Sequence, residues 1–480
     1  MSFYRFLMAT FTSLVILVSS PSVQSSESGL PSISDNSFSV TPQQEYILGR
    51  TWVRMLKGSG TLYNDPVVIA YLEDLLWSIV ENSQLSDRRL ELVVLDNQTL
   101  NAFAVPGGIV GIHTGLIDAA KSEDELASVI AHELAHLSQR HYAARIDEQK
   151  RNQPVMMAAL LGSLLIAAAD AEGGTAALTS TLAASQQFSL AFSRRNEREA
   201  DYIGMQTLTE SGYAPDAMPK MFSRLQANAR YGQKTPEFLL THPVTESRIA
   251  DSLNRAASLP KPAKRPNAID YALVRARITA QYSKEPSKLL NSLNQQRNKQ
   301  DSNDLRYAAV ITAIKAKRFD QAHQALRLMD SAFHQKLPVK LLTAELAMAE
   351  NKPNQAADKL NRILQLFPDN FPANALYAKL LLKQGQAKRA VAIYRKLSEQ
   401  RPVDVNIWYN LAEAQGLAGN TLEVHIARIK YFMLTGNIDL ALRQVKFALH
   451  TPRLTAYGRS RLETLEQEAK VIHKQIKTVL

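Results

Sequence analysis

Residues 128–141 read Ser128-Val-Ile-Ala-His-Glu-Leu-Ala-His-Leu-Ser-Gln-Arg-His141 and contain the pattern H-E-x-x-H as His132-Glu133-Leu134-Ala135-His136. On an α-helix, residues four apart lie about 40° from one another around the axis, so two imidazoles at this spacing can grip one metal ion. Glu133 falls between them and off their face, where a carboxylate can take a proton from a water that the metal polarises. The stretch also carries the marks of a helix. Ser122-Glu123-Asp124-Glu125 reads as a capping box, and Leu126, Ile130, Leu134 and Leu137 supply an apolar stripe. Because so short a pattern also arises by chance in long chains, further support has to come from the sequence around it.

Upstream, Leu90–Leu95 is apolar and β-branched enough for a strand. Asp96-Asn97 then turns the chain into a second strand at Asn101–Val105, and Pro106-Gly107-Gly108 turns it again into a third at Ile109–His113. A small sheet therefore precedes the metal helix, and its strand Ile109–His113 is expected to pair with an extended substrate. His113 reads as a strand-end histidine rather than a ligand. From Gln43 to Asn82 the pattern is helical, broken at Gly58-Ser59-Gly60 and around Asn64-Asp65-Pro66.

Downstream, residues 154–169 run without a charge, but sixteen residues fall short of the ~20 that a span requires. A helical hairpin over 154–190 beside the active site is the expectation, with a membrane-touching element as the alternative. On the next helix Glu197, Asp201, Gly204 and Leu208 share one face. Carboxylates on an inward face need a partner; a metal ion would serve Glu197, and an imidazole Asp201. Arg194, Arg195 and Arg198 leave open a solvated charged face instead. His242 stands just before a short helix begun by Pro243, and a Lys/Pro-rich linker follows at 259–266.

The totals narrow the setting. The 480 residues contain no cysteine, which excludes disulfides, thiolate metal sites and cysteine nucleophiles. Arg5 followed by the apolar Leu7–Val18 and the small-residue site at Val23-Gln24-Ser25 reads as a secretory signal peptide over 1–25, with a flexible leader over 26–42. An exported chain of this size without disulfides fits a bacterial periplasm. The net charge of +11 divides unevenly: residues 261–480 hold 36 basic and 18 acidic residues, and 1–260 hold 20 and 27. Two halves of opposite sign suggest two domains that attract each other, the basic one docking partly on the acidic one and covering its cleft. A basic half in an exported protein points to acidic proteins or an anionic membrane surface, not to nucleic acid.

Beyond the linker the helical pattern repeats. Ala322, Ala356 and Ala390 stand 34 residues apart, as do Pro368 and Pro402, and Gly385, Gly419 and Gly436 fall at inter-helix turns. That is the tetratricopeptide rhythm, in which small residues let paired helices approach closely. Three units near 305–402 are regular, and the register is expected to fail after Gly419. Such stacks usually bind peptide or protein on a concave face, the alternative being a purely structural solenoid.

Taken together, Asn101-Ala-Phe-Ala with Pro106-Gly-Gly, then His132-Glu-x-x-His136, Glu197-x-x-Ala-Asp201 and His242-Pro-x-x-x-x-Arg248 resemble the peptidase family of HtpX and the CAAX prenyl proteases. The resemblance implies an α+β metallopeptidase domain at 43–258, mostly helical with a small sheet beside the H-E-x-x-H helix, and an all-α tetratricopeptide solenoid at 267–480. It implies one Zn2+ held by His132, His136 and Glu197, with His242 as a fourth ligand at rest. Glu133 becomes the general base. Asp201 matches an aspartate assigned in the family as proton donor, although orienting a ligand histidine is physically more natural. Arg248 would stabilise the oxyanion. For an exported member with a repeat half, the resemblance further implies misfolded outer-membrane proteins as substrates. The implied partners are the barrel-assembly machinery and the lipopolysaccharide-transport barrel protein. The expectation is thus a periplasmic zinc endopeptidase of outer-membrane assembly and quality control. Its rival is a chaperone or scaffold acting through the repeats.

Overall fold

Thr41 starts the first helix, α1 (Pro42–Gly58): its hydroxyl accepts from the Gln44 N–H while the Gln44 side chain accepts from the Thr41 N–H. The structure, a computed structural model, describes residues 40–152, 193–231, 235–260, 271–452 and 454–479. The signal peptide, the leader up to residue 39, the 154–190 hairpin and most of the 259–266 linker lie outside the described residues. Asp65 caps α2 (Pro66–Val80) by accepting from the N–H groups of Val67 and Val68. The breaks expected at Gly58–Gly60 and Asn64–Pro66 are where these two helices end and begin.

Three strands follow, β1 (Glu91–Leu95), β2 (Ala102–Val105) and β3 (Ile109–His113), in the order β1-β3-β2. The Pro106-Gly-Gly turn folds β3 back antiparallel on β2, and β3 then lies parallel to β1. Both edges of Ile109–His113 are thereby occupied, so the expected pairing of a substrate with that strand is not available. The edge that faces the metal helix belongs to β2. Next come α3 (Thr114–Ala119), α4 (Glu123–Ser138), α5 (His141–Asn152), α6 (Arg194–Glu210), α7 (Ala217–Tyr231), α8 (Glu237–Thr241) and α9 (Glu246–Ser258). The capping box at α4 is only half closed: Ser122 accepts from the Glu125 N–H, but the Glu125 carboxylate turns to the Lys121 N–H and to Arg224.

Helix α4 runs through the middle of this half, against α6, α7, α2 and β2. Leu126, Ile130 and Leu134 sit in a core with Leu72, Leu76, Val110, Met205 and Phe222. Gly204 lets α6 approach closely, since a Cβ there would stand 3.0 Å from the Cα of His132.

The second half consists of α10 (Tyr271–Tyr282), α11 (Pro286–Lys299), α12 (Asn303–Lys315), α13 (Phe319–Arg327), α14 (Ser331–His334), α15 (Leu337–Ala349), α16 (Pro353–Leu366), α17 (Phe371–Lys383), α18 (Ala387–Gln400), α19 (Val405–Leu417), α20 (Thr421–Leu434), α21 (Ile438–Leu449) and α22 (Ala456–Val479). First helices of successive units begin at Asn303, Leu337, Phe371, Val405 and Ile438, at intervals of 34, 34, 34 and 33. The register therefore continues past Gly419, against expectation. In the unit where the small-residue signal vanishes, Val424 replaces the alanine of Ala356 and Ala390. Gly416 lies opposite it, where even an added Cβ would stay 3.8 Å from the Val424 Cγ2, so a small residue has changed sides and the helices still approach.

The two halves interlock. Tyr271, Val274 and Ile278 of α10 belong to the catalytic core, while Leu273 on its other face enters the core of the repeats. Buried on both sides, α10 shows no amphipathic stripe. Arg277 of the same helix is buried and bridges Asp65 at the start of α2 (2.7 Å) to Glu345 of α15 (2.6 Å). Arg401 forks onto Glu73 of α2 at 2.8 and 2.5 Å. The end of α1 meets the α20–α21 turn at Gly58, where a Cβ would fall 2.4 Å from the Thr435 carbonyl oxygen. Opposite charges do join the halves, but the main contacts of the repeats are with α1, α2 and α3, not with the helices of the metal site.

Candidate metal centre

Four elements deliver the predicted residues to one point. His132 and His136 project from α4, Glu197 and Asp201 from α6, His242 follows α8, and Arg248 lies on α9. One donor atom each from His132, His136, Glu197 and His242 lies within 4.8 Å of the other three, and all four residues are buried. His136 Nε2 stands 3.1 Å from His132 Nε2, and His242 Nδ1 stands 3.0 Å from Glu197 Oε1. His132 Nε2 is 3.5 Å from His242 Nδ1, and His136 Nε2 is 3.5 Å from Glu197 Oε1. Four nitrogen and oxygen donors arranged tetrahedrally around one ion at ~2.0–2.1 Å stand ~3.4 Å apart, so this set fits a single metal ion. His113, as expected, is not among them.

Outer contacts fix each ligand. Asp201 Oδ1 lies 3.0 Å from His132 Nδ1, which places the proton on Nδ1 and leaves Nε2 free to ligate. Arg248 forks onto both Asp201 oxygens at 2.7 Å, reaches Glu197 Oε2 at 2.6 Å and donates to the Pro243 carbonyl at 2.7 Å. His136 Nδ1 stands 2.9 Å from His141 Nδ1, whose Nε2 lies 3.5 Å from Glu199. The His242 ring stacks on Phe238 at 4.7 Å, with its Nε2 3.5 Å from Glu133 Oε1. Helix α8, which carries this ring, is held through the Phe238 N–H on the Leu100 carbonyl and Asn101 on Glu237.

Burial sets the charges. It pushes the imidazole of His136 well below its ordinary range and that of His242 down to about 3, and it lowers His132 against the pull of Asp201. All three are thus held neutral, as ligation demands. Burial and the neighbouring Glu197 push Glu133 well above the usual carboxylate range, although the Ala104 N–H on β2 donates to it. Burial likewise lifts Glu197 to about 7, against the pull of His132 and Arg248. For Asp201 burial acts upward too, but hydrogen bonds from His132 and Arg248 outweigh it and hold the carboxyl below its usual range.

Two family models match: Peptidase family M48 over residues 67–256, and the tetratricopeptide repeat over 347–415. The beta-barrel assembly-enhancing protease of Escherichia coli O157:H7 is 32% identical over 437 residues, covering 90% of this chain and 89% of that one. The chain belongs to peptidase family M48. A putative beta-barrel assembly-enhancing protease of Vibrio cholerae is 35% identical over 413 residues, 84% of either chain. The mitochondrial metalloendopeptidase OMA1 of Schizosaccharomyces pombe is 34% identical over 179 residues, 37% of this chain and 50% of that one. This M48 chain is a peptidase, an α+β catalytic half followed by tetratricopeptide repeats.

Sequence spacing did not single out His141, Phe238 or the Ala104 N–H. His136 and His141 are five apart and share no helix face; only the chain reversal at Arg140, with φ 50°, brings their rings together. Phe238 offers no polar signal at all, and a backbone donor offers none by nature. The one usable hint was that His136 and His141 stand so close in a chain with ten histidines.

Proposed function

We propose that this M48 peptidase is a zinc-dependent endopeptidase of the periplasm, working in assembly and quality control of outer-membrane β-barrel proteins. The convergence of His132, His136, Glu197 and His242 carries the enzymatic part. The names of its relatives, together with the exported character of its first residues, carry the setting. Bound among these donors, zinc would supply a Lewis acid that polarises a peptide carbonyl and acidifies water.

The chain's own residues do the rest. Glu133, its basicity raised by burial, accepts the proton of the attacking water. His242 fills the fourth position at rest and must swing away on α8 for substrate to enter. Both oxygens of Asp201 are engaged by His132 and Arg248, which supports a positioning role over proton donation. Arg248 donates three N–H groups to Asp201 and Pro243 and pairs with Glu197, so it braces the ligands and acts on the oxyanion only through them. An extended peptide would lie along the β2 edge, whose Ala102 and Ala104 point their backbone groups away from β3.

We assign 43–258 to the peptidase domain and 267–480 to the repeat domain, with α10 wedged between them. Misassembled barrel proteins are the proposed substrates. The barrel-assembly machinery, the lipopolysaccharide-transport barrel and an anionic membrane surface are the proposed contacts. Among the described residues no helix is long and apolar enough to cross a membrane. The closed fourth position favours a second reading, a chaperone or scaffold whose peptidase is switched off at rest. Glu133→Gln separates the two. It should lower cleavage of an unfolded barrel protein by about 10²–10⁴-fold with metal content and partner capture intact. His242→Ala should raise cleavage. A Glu133→Gln chain that still complements fully in cells would leave the scaffold reading standing, and a chain that takes up no zinc when zinc is supplied would remove the metal centre.

A further inference from the structure

On the face of α1 turned towards the C-terminal helix, Arg50 and Arg54 follow one another at helical spacing, and Lys57 stands a turn further on beside Val403, with one carboxylate serving the nearby cations. Glu91 accepts from Arg50 and pairs with Lys57 at 2.5 Å. Arg50 is further committed to the carbonyls of Arg89 and Gly107, both at 3.0 Å. Arg54 is left over. Its Nη1 is buried without a hydrogen-bond partner, and no ion pair reaches it among the described residues. An unpaired guanidinium half out of water, beside a second one, is costly to keep unless something arrives to neutralise it.

The guanidinium faces a groove of about 680 Å3 between α1 and α22. Glu468 stands on the far wall but is turned to Lys430, at 2.7 Å. The remaining walls combine amides (Gln43, Gln467, Gln475) and the Thr464 hydroxyl with Tyr46 and aliphatic surface from Ile47, Val471 and Ile472, and Val471 is 56% exposed. A phosphate site would gather several free cations. Here one free guanidinium is flanked by groups that can both donate and accept, with apolar surface to either side. That set matches one carboxylate on an extended peptide with aliphatic neighbours.

We propose that the α1–α22 groove is a peptide-binding site, separate from the metal centre, that takes an acidic residue on Arg54 and its aliphatic neighbours on Ile47 and Val471. The site is built from both halves of the chain, so its occupancy ties the repeat terminus to the peptidase half.

The test is fluorescence anisotropy with the full-length chain carrying Glu133→Gln, so that the probe stays intact. The probe is a labelled nine-residue peptide with one Glu between two Leu, compared with its Gln counterpart. The expected result is salt-sensitive binding of the Glu peptide that Arg54→Gln weakens by about tenfold or more and Arg54→Lys weakens less. The Gln peptide should bind weakly and alike to all three chains. Arg54→Gln should leave Tm unchanged or slightly raised, because it removes an unbalanced charge. Equal affinity for the two peptides would overturn the proposal, as would a Tm that falls by several degrees, which would make Arg54 structural. Arg54-dependent binding of inorganic phosphate or phosphatidylglycerol vesicles without binding of the Glu peptide would overturn it too, in favour of a phosphate site.

Discussion

The two halves of the chain hold themselves together by opposite means. Around His132 the peptidase half buries four histidines and three acids within one cluster, each needing a particular partner at a particular distance. The repeat half buries Ala322, Ala356 and Ala390, and Leu326, Leu360 and Tyr394, each set at intervals of 34 residues, and each unit leans chiefly on its neighbours. One half is specified by chemistry and brittle to its loss. The other is specified by volume and tolerant of exchange, as the Val424–Gly416 swap demonstrates. The difference teaches where stability should be lost when conditions change.

Removing metal tests that contrast hardest. Four buried donors, with the raised carboxyl of Glu133 beside them, gain most of their compensation from an ion, whereas nothing among the described repeat residues calls for one. Chelation should therefore lower the melting transition of the peptidase half by roughly 10 °C, the equivalent of about 4 kcal/mol for a site loaded far above its dissociation constant. Calorimetry on loaded and chelated protein checks this. A repeat transition that stays in place sharpens the comparison. Two transitions that move together would break it, because α10 would then be transmitting the loss from one core to the other.

The junction gives a second, smaller effect. Arg277 is buried between Asp65 and Glu345, and truncating it strands two acids across the interface. Arg277→Ala should cost about 3–5 kcal/mol, as breaking a buried pair does. Arg401→Ala, at a part-exposed bridge to Glu73, should cost no more than about 1 kcal/mol. Denaturant titration of both variants checks the ordering. Equal costs would mean that the halves are held by the shared apolar face of α10 and not by the ion pairs.

The same contrast decides what could be read from the sequence. His132, His136, Glu197 and Asp201 were legible because ligand chemistry needs fixed residue types at helical spacing, whereas His242 and Arg248 were legible only through the resemblance of their motif to a known family; the structure brings all six to one place. The strands and the two breaks around α1 and α2 were legible because Pro, Gly and Asp act locally. The order of the strands was not, since whether β3 lies at an edge or in the middle depends on where β1 is carried by the rest of the chain. Nor was the double-sided burial of α10, whose apolar residues point to two cores at once. The roles of Asp201 and Arg248 depended on which atoms they touch, and spacing along a helix cannot reveal that.

The smallest effect concerns the turn inside each repeat, where the sequence signal was also incomplete. Lys317, Asn351, Gly385 and Gly419 stand 34 apart, and all four have positive φ, between 56° and 78°. Only the last two are glycines, so the pattern was half hidden. A left-handed turn costs a side chain roughly 1–2 kcal/mol in general, but Asn tolerates it best because its short amide can bond locally. At Gly385 a new Cβ would meet nothing within 4 Å, so the only penalty is the backbone's. Gly385→Asn should then destabilise by less than about 1 kcal/mol, and Gly385→Val by clearly more, since a β-branched side chain fits that conformation worst. Tm measured on both variants gives the difference. If Asn proved as costly as Val, the 34-residue periodicity of these turns would reflect glycine's missing side chain alone, and the tolerance assigned to the repeat half would not extend to its turns.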